Sequence, residues 1–288
     1  MPRVDPHNST EYWWDPHLTG LSLMRADFTT QEYPQHTHDA LVIAVTEQGG
    51  SVVKSRGELQ DATPATLFVF NPEEPHGGWM GRSERWQYRS LYLTRLALDR
   101  LAHELGIDEV PYFTRNTFAD RDLIAAFHAM HLALEDGRDV FGEREMLVGS
   151  FGALFQRHGS GRSRIKAPPR DRILLSRAIE RMRAEYATDL RLEELAAGVG
   201  LTTFQLIGLF KRMTGLTPHA YLTQVRLGMA CRHLRHAPVL AEVATAVGFY
   251  DQSALNKHFK RCYGITPLQF AKAALSSFAA LRTAEKQF

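Results

Sequence analysis

Apolar and polar positions along this chain follow two different periods, and the change between them divides it. From Leu21 to Leu93 short runs rich in Val, Ile, Phe and Tyr occur at Leu21–Phe28, Leu41–Glu47, Ser51–Arg56, Leu67–Phe70 and Trp86–Leu93. They are broken at Glu32-Tyr33-Pro34, Gln48-Gly49-Gly50, Asp61 to Pro64, Asn71 to Pro75 and Gly77-Gly78. Short strands at this spacing predict a sandwich or barrel. In the last run Trp86, Tyr88, Ser90 and Tyr92 share one face, and Gln87, Arg89, Leu91 and Leu93 share the other. Beyond Leu93 the period becomes helical. Leu96 to Leu105 ends at Gly106. The stretch Asp120–Glu135 presents Leu123, Ile124, Phe127, Met130 and Leu134, and Phe141–His158 presents Met146, Leu147, Phe151, Leu154 and Phe155.

A composition break follows. Residues 159–170, GSGRSRIKAPPR, combine glycine, serine, paired prolines and four positive charges, and are read as a linker. Helical spacing resumes at Ile173 to Tyr186, with Ile173, Leu174, Ala178, Ile179 and Met182 expected inward. The chain then repeats itself. Leu195-Ala196-x-x-Val199-Gly200-Leu201 returns forty-eight residues later as Val243-Ala244-x-x-Val247-Gly248-Phe249. Leu206-x-x-x-Phe210-Lys211-Arg212-x-x-Gly215-x-Thr217-Pro218 returns forty-nine later as Leu255-x-x-x-Phe259-Lys260-Arg261-x-x-Gly264-x-Thr266-Pro267. The extra residue falls in the turn. Each copy reads as a short helix closed by a glycine, then a second helix capped by Thr202 or Thr203, or by Asp251. The second helix buries Leu206, Leu209, Phe210 and Met213, or Leu255, Phe259 and Cys262, and carries Lys211 and Arg212, or Lys260 and Arg261, near its end. Two such helices at a steep angle form the unit that enters a DNA major groove. A helix at about His219–His236 is expected to hold the two copies a fixed distance apart, and a last helix follows Pro267.

Charge sharpens this division. The chain has 288 residues and a net charge of +2, but residues 1–158 hold 14 Lys+Arg against 23 Asp+Glu, a balance of −9. Residues 159–288 hold 20 against 9, a balance of +11. A basic half on an acidic half fits a nucleic-acid-binding domain joined to a different module. The expected division is therefore 1–158, a linker at 159–170, a DNA-binding module at 171–275 and a tail at 276–288. Two cysteines, Cys231 and Cys262, stand in no reactive motif, which excludes a cysteine nucleophile in DNA repair. The start, MPRVDPHNSTEYWWDP, has no apolar run of a signal peptide, and no stretch has the length of a membrane span. A reducing cytoplasm is the expected setting.

Candidate chemistry in the front half lies in aromatics, histidines and arginines. Trp13 and Trp14 either pack on the outside of the barrel or fold over a ligand. Arg25, Trp86, Tyr88 and Arg89 are candidates to line a small-molecule site, depending on which strand face turns inward. Pro34-Gln35-His36-Thr37-His38, a strand ending in Gly49-Gly50, and Asn71-Pro72-Glu73-Glu74-Pro75-His76 resemble the cupin fold. That resemblance implies that His36, His38 and His76 occupy three of the places that hold a divalent ion in metal-binding cupins. The glutamate's place falls near Leu41 or Val42 and is apolar. Three imidazoles can bind zinc without it, and can equally serve as hydrogen-bonding residues. The reading taken is a ligand site without a cofactor, those three histidines being the candidates for a metal.

Gly248-Phe249-Tyr250-Asp251-Gln252-Ser253 leading to Phe259-Lys260-Arg261, closed by Gly264-Ile265-Thr266-Pro267, resembles the DNA-binding domain of the AraC/XylS transcription regulators across residues 171–275. The resemblance implies a two-domain cytoplasmic regulator, with an N-terminal cupin-like β-barrel and helical hairpin and a C-terminal all-α tandem helix-turn-helix. It implies an effector in the barrel, double-stranded DNA and RNA polymerase as partners, and a homodimer. Base contacts would come from Thr203, Phe204, Ile207 and Gly208 in the first copy and from Gln252, Ser253, Asn256 and Lys257 in the second. Lys211, Arg212, Lys260 and Arg261 would meet phosphates. The second set is rich in groups that address base edges and the first is not, which predicts unequal labour. A cupin metalloenzyme carrying a DNA-binding tail is the alternative from another class.

Overall fold

A computed structural model describes residues 8–161, 165, 170–234, 239–263 and 266–272. The chain divides into two compact units, Met1–Ala167 and Pro168–Phe288. Among the described residues no helix is long and apolar enough to cross a membrane.

The first unit is a sandwich of two antiparallel sheets backed by helices. Its strands are β1 (Ser9–Trp14), β2 (Leu21–Phe28), β3 (Glu32–His36), β4 (Leu41–Gly49), β5 (Ser51–Ser55), β6 (Glu58–Ala62), β7 (Leu67–Phe70), β8 (His76–Trp79), β9 (Trp86–Leu93) and β10 (Thr117–Phe118). One sheet runs β1-β2-β9-β4-β7-β10 and the other β3-β8-β5-β6. Three helices follow: α1 (Arg95–Leu105), α2 (Arg121–Asp136) and α3 (Val140–His158). Helix α2 packs on β4 and β9, and α3 on α2.

Alternation along the larger sheet sets the two cores. Leu21, Leu23, Leu41, Ile43, Leu67, Val69, Leu91 and Leu93 are fully buried, as are Phe127, Met130 and Phe151 of the helices. The intervening residues, among them Val42, Phe68, Phe70, Trp86 and Tyr88, form a second cluster with Val53 and Ala62 of the smaller sheet. Both faces of the larger sheet are thus covered, which is why its central strands read as nearly continuous apolar runs.

Two stretches expected as turns are strands. Glu32-Tyr33-Pro34 opens β3, where proline is tolerated because β3 is an edge strand and the ladder to β8 is irregular between Tyr33 and His36. Gly77-Gly78 lies inside β8. A Cβ on Gly77 would stand 2.7 Å from the Tyr33 carbonyl oxygen, and one on Gly78 2.5 Å from that of Val52. These glycines permit close strand approach.

Sequence spacing also left 107–118 without a role. That segment is anchored by a polar network in which Arg56 donates to the Glu74 carboxylate (Nε to Oε1, 2.7 Å) and to the Phe113 carbonyl, while Asn71 and Asn116 donate to Glu74. Burial opposes ionisation of Glu74, but these donors hold its carboxyl down at about 2.

The second unit is all helical: α4 (Arg172–Glu185), α5 (Leu192–Ala197), α6 (Thr203–Thr214), α7 (Pro218–Leu234), α8 (Leu240–Ala246) and α9 (Gln252–Tyr263), with residues 267–272 also helical. Helix α7 packs against α4, α6, α8 and α9, joining the copies. Its start is set by Thr217, whose Oγ1 accepts from Ala220 N, with Pro218 at the first helical position. Leu227, Ala230, Leu234, Val243, Ala244, Val247, Phe249, Leu255 and Phe259 form the second copy's core.

Two apolar expectations fail here. Ile173 is 65% exposed because it lies in the first turn of α4, beside the Asp171 cap. Cys262 is exposed in the last turn of α9, its Sγ 3.5 Å from Gln224 Oε1. Most of the linker at 159–170, the tail at 276–288 and residues 235–236 of the long helix lie outside the described residues. Gly159 and Ser160 are described, and Ser160 bridges to Tyr112 within the first unit.

Candidate functional site

The duplication visible in the sequence is a duplication of backbone. After α5 the Leu201 amide donates to the Ala196 carbonyl, and after α8 the Phe249 amide donates to that of Ala244. Gly200 and Gly248 hold φ of 69° and 85°, the left-handed conformation that this helix ending requires. Thr202 caps α6 in a reciprocal capping box with Gln205, and Asp251 Oδ1 accepts from Ala254 N at the start of α9. Tyr250, 67% exposed, is the inserted residue in the second turn.

What the copies present differs. Lys211, Arg212, Lys260 and Arg261 are all exposed, as are Gln252, Ser253 and Lys257. In α6, however, Thr203 and Ile207 are buried, and Phe204 and Gly208 are half-buried. Thr203 and Ile207 therefore do not stand on a free face, a correction to the first copy's expected base contacts. The reason is the helical wheel: positions 203, 206, 207 and 210 form one contiguous stripe, and an apolar residue at 207 widens the buried side. Asn256, the equivalent of Ile207, is half-buried, and its Oδ1 is buried with no hydrogen-bond partner among the described residues.

In the first unit a cavity of about 200 Å³ lies between the two sheets. Of the expected ligand residues it is lined by His36, His38, His76, Trp86 and Tyr88, joined by Met24, Tyr33, Ser90 and Tyr92. Trp86 and Tyr88 stack with ring centroids 4.1 Å apart, and Tyr33 and Tyr88 share a hydrogen bond of 2.8 Å. Burial raises the Tyr88 hydroxyl pKa well above its ordinary value and that of Tyr92 to about 12. Burial, reinforced by neighbouring histidines, lowers His38 to about 4, and burial also lowers His76. Among the described residues, no Asp, Glu, Lys or Arg lines the cavity.

Arg25, Arg89, Trp13 and Trp14 do not line it. Arg25 and Arg89 lie on the helix-facing side of their strands. Arg89 is buried, donates to Glu47 Oε1 at 2.7 Å, and pairs with Glu135 and His131 of α2. Arg25 bridges Glu11 and Glu135. Trp13 packs edge-on against His131, with centroids 5.6 Å apart, and Trp14 is 60% exposed. Tyr12 is the β1 residue nearer the cavity wall: its hydroxyl donates to Ser22 Oγ and its ring lies 6.0 Å from Tyr92. Period-2 alternation identified these faces, but only the position of the helices says which is inside. Tyr33 was missed because Pro34 marked its stretch as a turn.

A sandwich with a small cavity between its sheets, joined to paired helix-turn-helix units, defines a DNA-binding regulator with a ligand-binding domain. Residues 18–151 match the AraC-like ligand binding domain family and residues 195–273 a helix-turn-helix domain family. The uncharacterized HTH-type transcriptional regulator YbfI of Bacillus subtilis (strain 168) is 26% identical over 240 residues, 83% of this chain and 86% of that protein. The HTH-type transcriptional regulator MtrA of Neisseria gonorrhoeae is 32% identical over 100 residues, covering 34% of this chain and 32% of its own length. A solved structure of ToxT from Vibrio cholerae matches 88% of this chain and 98% of that one, with 9% identity and a TM-score of 0.36. The chain belongs to the AraC family of transcriptional regulators, which are not enzymes.

Proposed function

We propose that a small molecule bound between the two sheets of the first unit controls which promoters this regulator occupies. The observation that carries the reading is the pairing of an aromatic-lined cavity in one unit with an exposed Gln252, Ser253 and Lys257 near the start of α9 in the other. The division of labour is a sensor at 1–158, a linker at 159–170 and a DNA-binding module at 171–275. Control is by linkage: an effector that prefers one arrangement of β1, the sandwich and a homodimer shifts the population competent to hold paired sites and contact RNA polymerase. Helix α2 supports such a route, since His131 and Glu135 meet β1, β2 and β9 on the reverse side of the cavity wall.

On the DNA, the second copy reads base edges by hydrogen bonds while the first reads thymine methyls or shape and is anchored by phosphate contacts from Lys211 and Arg212. The copies face successive major-groove segments about one helical turn, ~34 Å, apart. Selection of bound sequences from a random pool, followed by a thermal-shift screen of small molecules, tests both halves. The expected result is one site carrying two groove segments, and a stabilising compound that alters its affinity. Binding indifferent to sequence would overturn the reading of the second unit, and a stabilising compound with no effect on DNA affinity that of the first.

A further inference from the structure

The residue by which the second turn exceeds the first is a tyrosine. Between the glycine and the helix cap the first copy has Leu201 alone, and the second has Phe249 and Tyr250. Phe249 takes the place of Leu201: its amide donates to the Ala244 carbonyl as that of Leu201 does to Ala196, and its buried ring stacks on His258 with centroids 5.7 Å apart. On the other side Asp251 is fixed as the cap of α9, its Oδ1 accepting from Ala254 N at 2.7 Å. Tyr250 is thus held between a buried neighbour and a capping one, and it is 67% exposed. Among the described residues its hydroxyl meets no hydrogen-bond partner and its ring no aromatic ring.

The fold gains nothing from an aromatic side chain left in water at this point, so its use lies in its place. Tyr250 stands just ahead of the cap of a helix whose first residues, Gln252 and Ser253, are exposed. A helix in the major groove sets its N-terminal residues on base edges, and the residue ahead of the cap then lies beside the backbone at the groove's rim. The N-terminus of α9 is poorly suited to hold a phosphate there by itself, because the Asp251 carboxylate already accepts from it and repels a second anion. A tyrosine hydroxyl is a longer, uncharged donor of the kind that meets phosphate oxygens. We propose that the Tyr250 hydroxyl donates to a DNA phosphate at the rim of the groove segment read by α9, a contact that the first copy lacks, and so fixes the register of Gln252 and Ser253 on the bases. This rests on α9 entering the groove. Lys260 and Arg261 anchor the opposite end of the helix.

The test measures binding of the full chain to its selected DNA site by fluorescence anisotropy, for the unaltered protein, Tyr250→Phe and Tyr250→Ala. Each substitution is expected to weaken binding roughly tenfold, the value of a hydrogen bond to a charged group. The loss should be the same for every single-base variant of the site, with the salt slope unchanged because a neutral donor releases no counterion. Thermal unfolding should not move. Methylphosphonate placed at one phosphate after another should find one, at the edge of the α9 segment, whose replacement weakens the unaltered protein and leaves Tyr250→Phe unaffected. Full affinity in Tyr250→Phe, a loss confined to one base position, a loss that tracks lowered unfolding temperature, or the absence of such a phosphate would each overturn the proposal. If Gln252→Ala erases one base preference while Tyr250→Phe changes nothing, α9 still reads the groove and only the tyrosine contact falls.

Discussion

Helices α6 and α9 start from matching glycine turns and end in matching Lys-Arg pairs, yet between those points they offer solvent different surfaces. At the first four outward positions α6 carries Thr203, Phe204, Ile207 and Gly208, of which two are buried; α9 carries Gln252, Ser253, Asn256 and Lys257, of which three are exposed. A duplicated backbone therefore does not imply a duplicated function. The scaffold residues of each copy pack against the shared α7, and that shared contact does not dictate how wide the buried stripe of each second helix becomes. The second copy uses that freedom for hydrogen-bonding groups, while in the first, packing has claimed half of the outer face.

The largest effects should show the scaffolds to be equal. Phe210 and Phe259 are both fully buried. Phe210→Ala and Phe259→Ala should each cost about 3–5 kcal/mol of stability in denaturant unfolding. A cost below ~1 kcal/mol for one alone would break the equivalence.

The two turn glycines should then separate the copies. An added Cβ at Gly200 meets nothing within 4 Å, whereas at Gly248 it would stand 2.6 Å from the Tyr186 carbonyl oxygen and 2.9 Å from Arg226 Nε. Gly200→Ala should cost roughly 1–2 kcal/mol for its left-handed backbone alone, and Gly248→Ala roughly 2–4 kcal/mol, strain and overpacking combined. Equal costs in thermal unfolding would mean that the contact at Gly248 relaxes freely.

Base reading comes next. Gln252→Ala and Asn256→Ala should each relax preference at one base position by about 1–3 kcal/mol, and Phe204→Ala should weaken all sequences alike. Asn256→Ala should also leave folding stability nearly unchanged, because Oδ1 has no partner to lose. Unfolding that is markedly easier would mean that this amide is structural. Removing a cap is smaller: Thr202→Ala, which loses the capping box of α6, should cost ~1 kcal/mol in the same unfolding experiment. Smallest of all, Lys211→Ala should lower affinity uniformly and reduce the salt slope by about 1.

The helical half was the more legible in sequence because its signals are local. Glycines, caps and the duplicated apolar spacing placed α5, α6, α8 and α9, and Thr202 and Asp251 cap as expected. Burial at 203 and 207 was not legible, since it depends on how wide the apolar stripe of α6 becomes once neighbours close on it. In the sandwich the central strands were plain, but β3 and β8 were hidden by Pro34 and Gly77-Gly78, which look like turns until pairing reveals an edge strand and close backbone contacts. The cavity was half legible. Alternation grouped Trp86 with Tyr88 and placed Arg89 on the opposite face; choosing the inner face required knowing that α2 covers the other.

Base-by-base binding energies across every single substitution of the selected DNA site, measured for the unaltered chain, Gln252→Ala and Phe204→Ala, test the unequal copies most directly. Penalties should be sharp over the groove segment under α9 and flat under α6. Gln252→Ala should erase one sharp position, and Phe204→Ala should lower the whole profile without reshaping it. Equally sharp profiles in both segments, with Phe204→Ala erasing a single position, would contradict the account.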